Sequence, residues 1–194
     1  MEERVSTIDY YDKNAEIYFE YTVHADMSDN YQRFLKYLPE NSYILDAGCG
    51  SGRDSKYFLT HGYKVKAIDG SKELCALASR YIGQEVVNIR FADIDYTNEF
   101  DGIWANASLL HVDKNSIENV ICRMKKALKT DDIFYASFKY GESDRIQGER
   151  YYNDMNEEQL KKLFSAFEIL EIWMSDDALP GRTEKWLNII ARNR

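Results

Sequence analysis

Proline is nearly absent from this chain: Pro39 and Pro180 are the only two in 194 residues. Collagen-like, polyproline and low-complexity architectures are thereby excluded. Cysteine is sparse as well. Cys49, Cys75 and Cys122 are odd in number and widely spaced, so they form neither a disulfide framework nor a zinc spacing. A reducing, cytoplasmic setting is expected, and no metal. There is no basic tract, and 25 Lys and Arg face 33 Asp and Glu for a net charge of −8. Nucleic acid is disfavoured as a partner, because neutralising its backbone needs clustered cations. No apolar run approaches a bilayer crossing, and the opening Met1-Glu2-Glu3-Arg4 does not read as a secretory signal, so no membrane partner is expected. What remains is 44% hydrophobic and 30% charged, the composition of a globular protein. The length suits one domain, residues 1–194, as a monomer or homodimer.

The chain is organised around Ile44-Leu45-Asp46-Ala47-Gly48-Cys49-Gly50-Ser51-Gly52-Arg53-Asp54. Apolar residues suited to a buried strand break into a turn with glycine at every second position, and the turn runs into a helix from Ser55. Strand, turn and helix together bring backbone N–H groups to one point beside a helix N-terminus. A dinucleotide-binding turn requires a third small residue, and that position falls on Arg53 or Ser55. A P-loop requires G-K-[ST] after its glycines, and none follows. Asp46, at the strand end, would repel a pyrophosphate and attract an ammonium or sulfonium group. A cationic nucleoside fits better than an anionic dinucleotide, which disfavours a nicotinamide-dependent oxidoreductase.

Asp46-Ala47-Gly48-Cys49-Gly50-Ser51-Gly52 resembles motif I of the class I methyltransferases that use S-adenosylmethionine. Asp69 closing a second strand, Ala92-Asp93-Ile94 closing a third and Phe100-Asp101 opening a fourth extend the likeness. Within that family the chain resembles tellurite-resistance-type and other small bacterial enzymes. The resemblance implies an α/β, Rossmann-like fold with a mostly parallel seven-stranded sheet in order 3-2-1-4-5-7-6, the seventh strand antiparallel. A helical cap over residues 1–40 would sit on a core over 41–194. It implies S-adenosylmethionine as cofactor, S-adenosylhomocysteine as product and a small-molecule acceptor. A non-catalytic cofactor-binding or partner subunit, or a nucleic-acid or protein methyltransferase, are the alternatives. Against base methylation, enzymes of that kind resemble one another in an [DNS]-P-P-[YFW] run after the fourth strand; here Asn106-Ala107-Ser108-Leu109 stands there.

Taken in order, residues 5–21 read as a helix with Val5, Ile8, Tyr11, Ala15, Tyr18 and Phe19 near one face. Its tyrosines either pack as an amphipathic face or form a lid, with Tyr11 toward substrate and Tyr18 toward the chemistry. A second helix spans 28–38 and stops at Pro39. Strand 64–68 ends on Asp69, whose carboxylate can accept both ribose hydroxyls, with Gly70 and Ser71 beside it; Ser71 is the N-cap of the next helix. Strand 86–91 leads to Asp93, either the acceptor of an adenine amino group with Ile94 on the ring, or an exposed turn aspartate. With Asp46, Gly48, Cys49, Gly50 and Gly52, these residues make the expected cofactor site. Asn106 and Ala107 complete it at the edge of strand 100–105, where open parallel sheets bind ligands. His111 is either a base or a packed helix residue. After strand 133–138, residues 139–154 read as a solvated loop or substrate lid carrying Arg145, Arg150 and Tyr152, and with Arg182 its arginines either hold a single carboxylate or similar anion or are ordinary surface or interface residues. Asn156-x-x-Gln159 reads as a capping box, and strands 167–173 and 186–191 as an antiparallel pair.

Overall fold

The computed structural model describes residues 6–194; Val5, assigned above to the first helix, and residues 1–4 lie outside the described residues. Three helices come first: α1 (Thr7–Lys13), α2 (Ala15–Thr22) and α3 (Ser28–Leu35). Strand and helix then alternate through β1 (Tyr43–Ala47), α4 (Arg53–Thr60), β2 (Lys64–Asp69), α5 (Lys72–Ile82), β3 (Val86–Asn88), β4 (Phe100–Ala105), α6 (Ile117–Ala127) and β5 (Leu128–Lys139). A hairpin of β6 (Asp144–Gln147) and β7 (Arg150–Asn153) follows, then α7 (Glu157–Leu163), β8 (Phe167–Asp176) and β9 (Lys185–Asn193).

The main sheet runs β3-β2-β1-β4-β5-β9-β8, with the β6–β7 hairpin apart from it. Counted without the hairpin, that is the expected 3-2-1-4-5-7-6. The first five strands pair in parallel, with α4, α5 and α6 crossing between β1 and β2, β2 and β3, and β4 and β5, and β9 pairs antiparallel to both β5 and β8. Both sheet faces are covered, so neighbouring residues on one strand serve two cores. Ile103, Phe134 and Ile189 join the layer under α6 and α7, while Trp104, Tyr135 and Ile190 join the layer under α3, α4 and α5. Trp104 stacks on Tyr135 at 3.9 Å in the second layer, beside Phe34 and Phe58. Among the described residues, no helix is long and apolar enough to cross a membrane.

Several boundaries differ from those read in the sequence. The single helix over 5–21 is two, because Asn14 leaves helical geometry (φ −114°, ψ 17°) and its amide donates to the Tyr10 carbonyl at 2.8 Å. A side chain competing for the last carbonyls ends the first helix without disturbing the apolar period. The second helix stops at Leu35, and Tyr37 and Leu38 tighten into i→i+3 bonds that still bring Leu38 against Gly102. The third strand ends at Asn88, so Asp93 lies in a 3-10 turn over Phe91–Asp93. Residues 139–154 are no irregular loop: Gly148 (φ 61°) begins a two-residue turn that closes β6 onto β7 with Gln147 opposite Arg150. The Asn156–Gln159 capping box forms as read.

Candidate functional site

The glycine turn lies at the carboxyl end of β1, pressed against two other segments. At Gly48 (φ 80°) a Cβ would stand 2.4 Å from the Ser108 Cβ, and the Ser108 hydroxyl donates to the Ala47 carbonyl at 2.6 Å. The turn after β1 and the segment after β4 are thus in direct contact. At Gly50 (φ 55°) a Cβ would meet the Tyr18 ring at 3.2 Å, so a bare backbone there is what lets α2 lie on the turn.

Asp46 does not face the site. It is 1% exposed, accepts from the Ser55 hydroxyl at 2.6 Å and lines neither of the two cavities described below. Burial, with the nearby Asp54 charge, pushes its carboxyl up to about 8. A buried carboxyl that holds its proton at neutral pH is a poor partner for a sulfonium. The charged carboxylate is Asp54, at the start of α4. Burial opposes its charge, but Arg53 at 2.6 Å holds it below the usual carboxylate range. Tyr31 (2.5 Å), Trp104 (2.8 Å) and Asn106 (3.1 Å) also donate to it.

Two cavities meet at the turn. The smaller, 250 Å³, lies between the ends of β1, β2 and β3 and is roofed by α1. Asp69 lines it with one backbone donor on each carboxylate oxygen, Gly50 N–H at 2.9 Å and Ser71 N–H at 2.8 Å. Burial raises its pKa above the usual carboxylate range, and these backbone donors offset only part of the rise. Each oxygen keeps a lone pair, and the pair is suited to a vicinal diol. Ile8, Leu74, Ile89 and Phe91 supply apolar walls for a flat group. Helix α1 is fastened over this cavity by Asp12, which accepts from the Ser71 hydroxyl at 2.6 Å and the Glu73 N–H at 3.2 Å.

The larger cavity, 810 Å³, opens beyond the turn between α1–α3 and the β5, β8 and β9 strands. Its lining amides and hydroxyls join a network that runs through the buried Tyr135 behind them. Asn30 donates to Tyr135 (2.9 Å), Tyr135 to Asn188 (2.8 Å), Ser137 to Asn106 (3.0 Å) and the Ala107 N–H to Ser137 (2.8 Å). Ala107 is held at φ 52°, a left-handed conformation uncommon for a residue with a Cβ. Backbone strain of this kind is kept where surrounding bonds fix it, here beside both cavities.

Tyr11, Tyr18 and His111 form the wall that both cavities share. The His111 Nδ1 lies 2.7 Å from the Tyr151 carbonyl, which can only accept, so Nδ1 carries the proton. Nε2 is then the acceptor, and the Tyr11 hydroxyl donates to it at 2.8 Å. Burial pushes His111 down to about 4, against the raising effect of the Tyr151 carbonyl. Burial pushes the Tyr18 hydroxyl up to about 12. At neutral pH the wall is uncharged, with one imidazole nitrogen available to any donor that displaces Tyr11.

The residues singled out in the sequence divide by place. Gly48, Gly50, Ala107, Tyr11, Tyr18 and His111 line both cavities, while Asp69, Gly70 and Ser71 line the smaller one. Cys49, Asn106, Arg150 and Tyr152 line the larger. Five line neither. Besides Asp46, Gly52 (φ 78°) packs against Ile82 and Ala78, and Asp93 is exposed in its 3-10 turn. Ile94 is 1% exposed in the core, and Arg145 is bound to Asp154 and Gln147. Phe91 and Ala92 take the place expected of Asp93 and Ile94, because the strand ends early. Asp54, Asn30 and Asn188 were missed. Asn188 had a signal, a lone amide inside the apolar run Trp186-Leu187-Asn188-Ile189-Ile190.

Residues 44–131 match a family model described as a methyltransferase domain. The probable S-adenosyl-L-methionine-dependent methyltransferase TehB of Haemophilus influenzae is 24% identical over 157 residues, 63% of this chain and 55% of that protein. An uncharacterized methyltransferase of Staphylococcus carnosus is 28% identical over 139 residues, 68% of this chain and 65% of its own length. The chain thus spans little more than half the length of the first of these relatives. Among solved structures, the 1,6-didemethyltoxoflavin-N1-methyltransferase of Burkholderia thailandensis, bound to 1,6-didemethyltoxoflavin and S-adenosylhomocysteine, superposes with a TM-score of 0.77. It is 24% identical, and the match covers 96% of this chain and 84% of that one. TehB of Haemophilus influenzae superposes with a TM-score of 0.74 at 19% identity, over 96% of this chain and 66% of that one.

Proposed function

We propose, from the premise that this chain carries a class I S-adenosylmethionine-dependent methyltransferase domain, that it moves the methyl group to a small-molecule acceptor held in the larger cavity. One observation carries the reading. The cavity with the Asp69 diol site meets an 810 Å³ chamber across a wall of Tyr11, Tyr18 and His111.

The residues present fit the cofactor. Asp69 suits the ribose hydroxyls, and Phe91 with Ile8 and Leu74 suits the adenine. The bare turn at Gly48 and Gly50 leaves room for the amino-acid arm, whose carboxylate would meet Arg53 in the larger cavity. When bound, the cofactor supplies a methyl group already activated by its sulfonium charge. The protein then has to align the acceptor and exclude water. Ala107 and Asn106, tied through Ser137, fix the edge beside which the acceptor lies, and the uncharged wall avoids repelling a sulfonium. His111 can take a proton only from an acceptor that displaces Tyr11 and is more acidic than an ordinary alcohol or ammonium.

A chamber of 810 Å³ falls within the range of small-molecule sites. A chain of net charge −8 with no basic stripe is poorly equipped to hold a duplex. The solved structure bound to 1,6-didemethyltoxoflavin agrees in kind. The test has two arms. Calorimetry should show S-adenosylhomocysteine binding, weakened about tenfold or more by Asp69→Ala, since bonds to a charged acceptor contribute roughly 1.5–3 kcal/mol. Labelled cofactor should transfer methyl groups into a metabolite extract and not into total DNA or RNA. Unchanged affinity in the variant would misplace the diol site, and labelling confined to either polymer would overturn the small-molecule reading.

A further inference from the structure

We propose that the acceptor is a small planar anion whose carboxylate, or an equivalent oxyanion, pairs with the guanidinium of Arg150. The proposal rests on reading the larger cavity as the acceptor chamber and adds the charge and shape of what enters it.

Three cations surround the ring of Tyr152: Arg145 at 4.7 Å, Lys139 at 4.8 Å and Arg150 at 5.3 Å. Two are matched. Arg145 pairs with Asp154, and Lys139 pairs with Glu184 at 2.9 Å. Arg150 forms no ion pair with a described residue, and its buried Nε has no hydrogen-bond partner among them. Among the described residues, three cations and two carboxylates leave one positive charge without a counterion, and it belongs to Arg150, which lines the chamber together with Lys139. A buried guanidinium N–H left unpaired is costly in a folded protein, and a planar oxyanion is the partner whose geometry matches its fork.

Of the chamber's five carboxylates, four are engaged. Asp54 is taken by Arg53 and three further donors. Asp176 pairs with Lys185, Asp177 accepts from Trp186 and Leu179, and Asp26 accepts from Ser28. Asp29 lies across the chamber on α3. The shape argument comes from the same place. Arg150 lies over the Tyr10 ring at 4.6 Å, and Tyr152 lies 5.0 Å from His111, so the charge sits among flat faces beside the shared wall. Rings set this way favour a flat body over a flexible aliphatic one. Arg150 and Lys139 both act to keep His111 unprotonated, which places their positive potential at that wall.

The experiment uses the full chain saturated with S-adenosylhomocysteine, with benzoate and benzamide as probes of equal size and planarity that differ in charge. Titration followed by saturation-transfer NMR should show benzoate bound about tenfold or more tighter than benzamide. Arg150→Gln should abolish the preference, and Arg150→Lys should restore part of it, with affinity for S-adenosylhomocysteine unchanged in both variants. Benzoate bound no better than benzamide by the wild type, including neither being bound, overturns the proposal; so does a preference that survives Arg150→Gln in a variant that still binds S-adenosylhomocysteine. If the variants fail to fold, the wild-type comparison decides. Failure of the wild type to bind S-adenosylhomocysteine overturns the cofactor reading instead, and this inference falls with it.

Discussion

Asp46 and Asp54 divide the work that a single carboxylate seemed to do in the sequence. Eight residues apart, both are buried, but only Asp54 has a cation against it, so Asp54 takes the charge and Asp46 takes the proton. A linear sequence shows a carboxylate before glycines, and not which way its side chain turns. The same limit explains Ile94 and Arg145, whose residue types suited the site while their packing took them elsewhere. His111 gives a residue-scale test. Its folded-state value, about 4, lies below the ordinary 6.5, so between those values the unfolded chain binds more protons. The stability due to the neutral ring is therefore intact above pH 6.5 and lost as the pH falls toward 4. Denaturant titrations of wild type and His111→Gln should show the wild-type advantage shrinking across that window. A difference that stays constant from pH 7 to 4 would show that the ring is not held neutral by the fold.

Elements were legible where one apolar period ran unbroken. The stripe of Ile117, Val120, Ile121 and Met124 gave α6, and the alternation of β2 gave a strand ending on Asp69. The Asn14 break and the β6–β7 hairpin were not legible, because a side-chain bond to the Tyr10 carbonyl makes the one and a short ladder of mostly polar residues closed at Gly148 makes the other. These are the elements that cover the site. Helix α1 buries no residue fully and is fixed by hydrogen bonds, at one end to Ser71 and Glu73 through Asp12 and at the other from Tyr151 N–H to Thr7 at 3.0 Å. Elements held this way open at low free energy. Hydrogen exchange without ligand should be fastest in α1 and the hairpin, slow on adding S-adenosylhomocysteine, and be about fivefold faster in α1 for Asp12→Ala, the loss of roughly 1 kcal/mol of hydrogen bonding. Equal protection of α1 with and without ligand would argue against its closing over the site.

At the scale of the molecule, strand order was beyond periodicity and came only through the family resemblance, since no local pattern says which edge receives the last two strands. The sheet brings residues far apart in sequence to one edge, with Gly50 beside Asp69 and His111 beside Tyr11. The wall between the cavities has a kinetic consequence. Tyr11 and Tyr18 belong to the helices that line the smaller cavity, yet they also form the near side of the larger one. Those helices must part to admit one ligand and settle to complete the site for the other. Catalysis should therefore follow a compulsory sequence of arrival, cofactor first and methylated product leaving before S-adenosylhomocysteine. In initial-rate studies S-adenosylhomocysteine should compete with S-adenosylmethionine and not with the acceptor, and benzoate should bind more weakly to the ligand-free protein than to the loaded one. Equal benzoate affinity in the two states, with random-order kinetics, would mean that the two chambers fill independently.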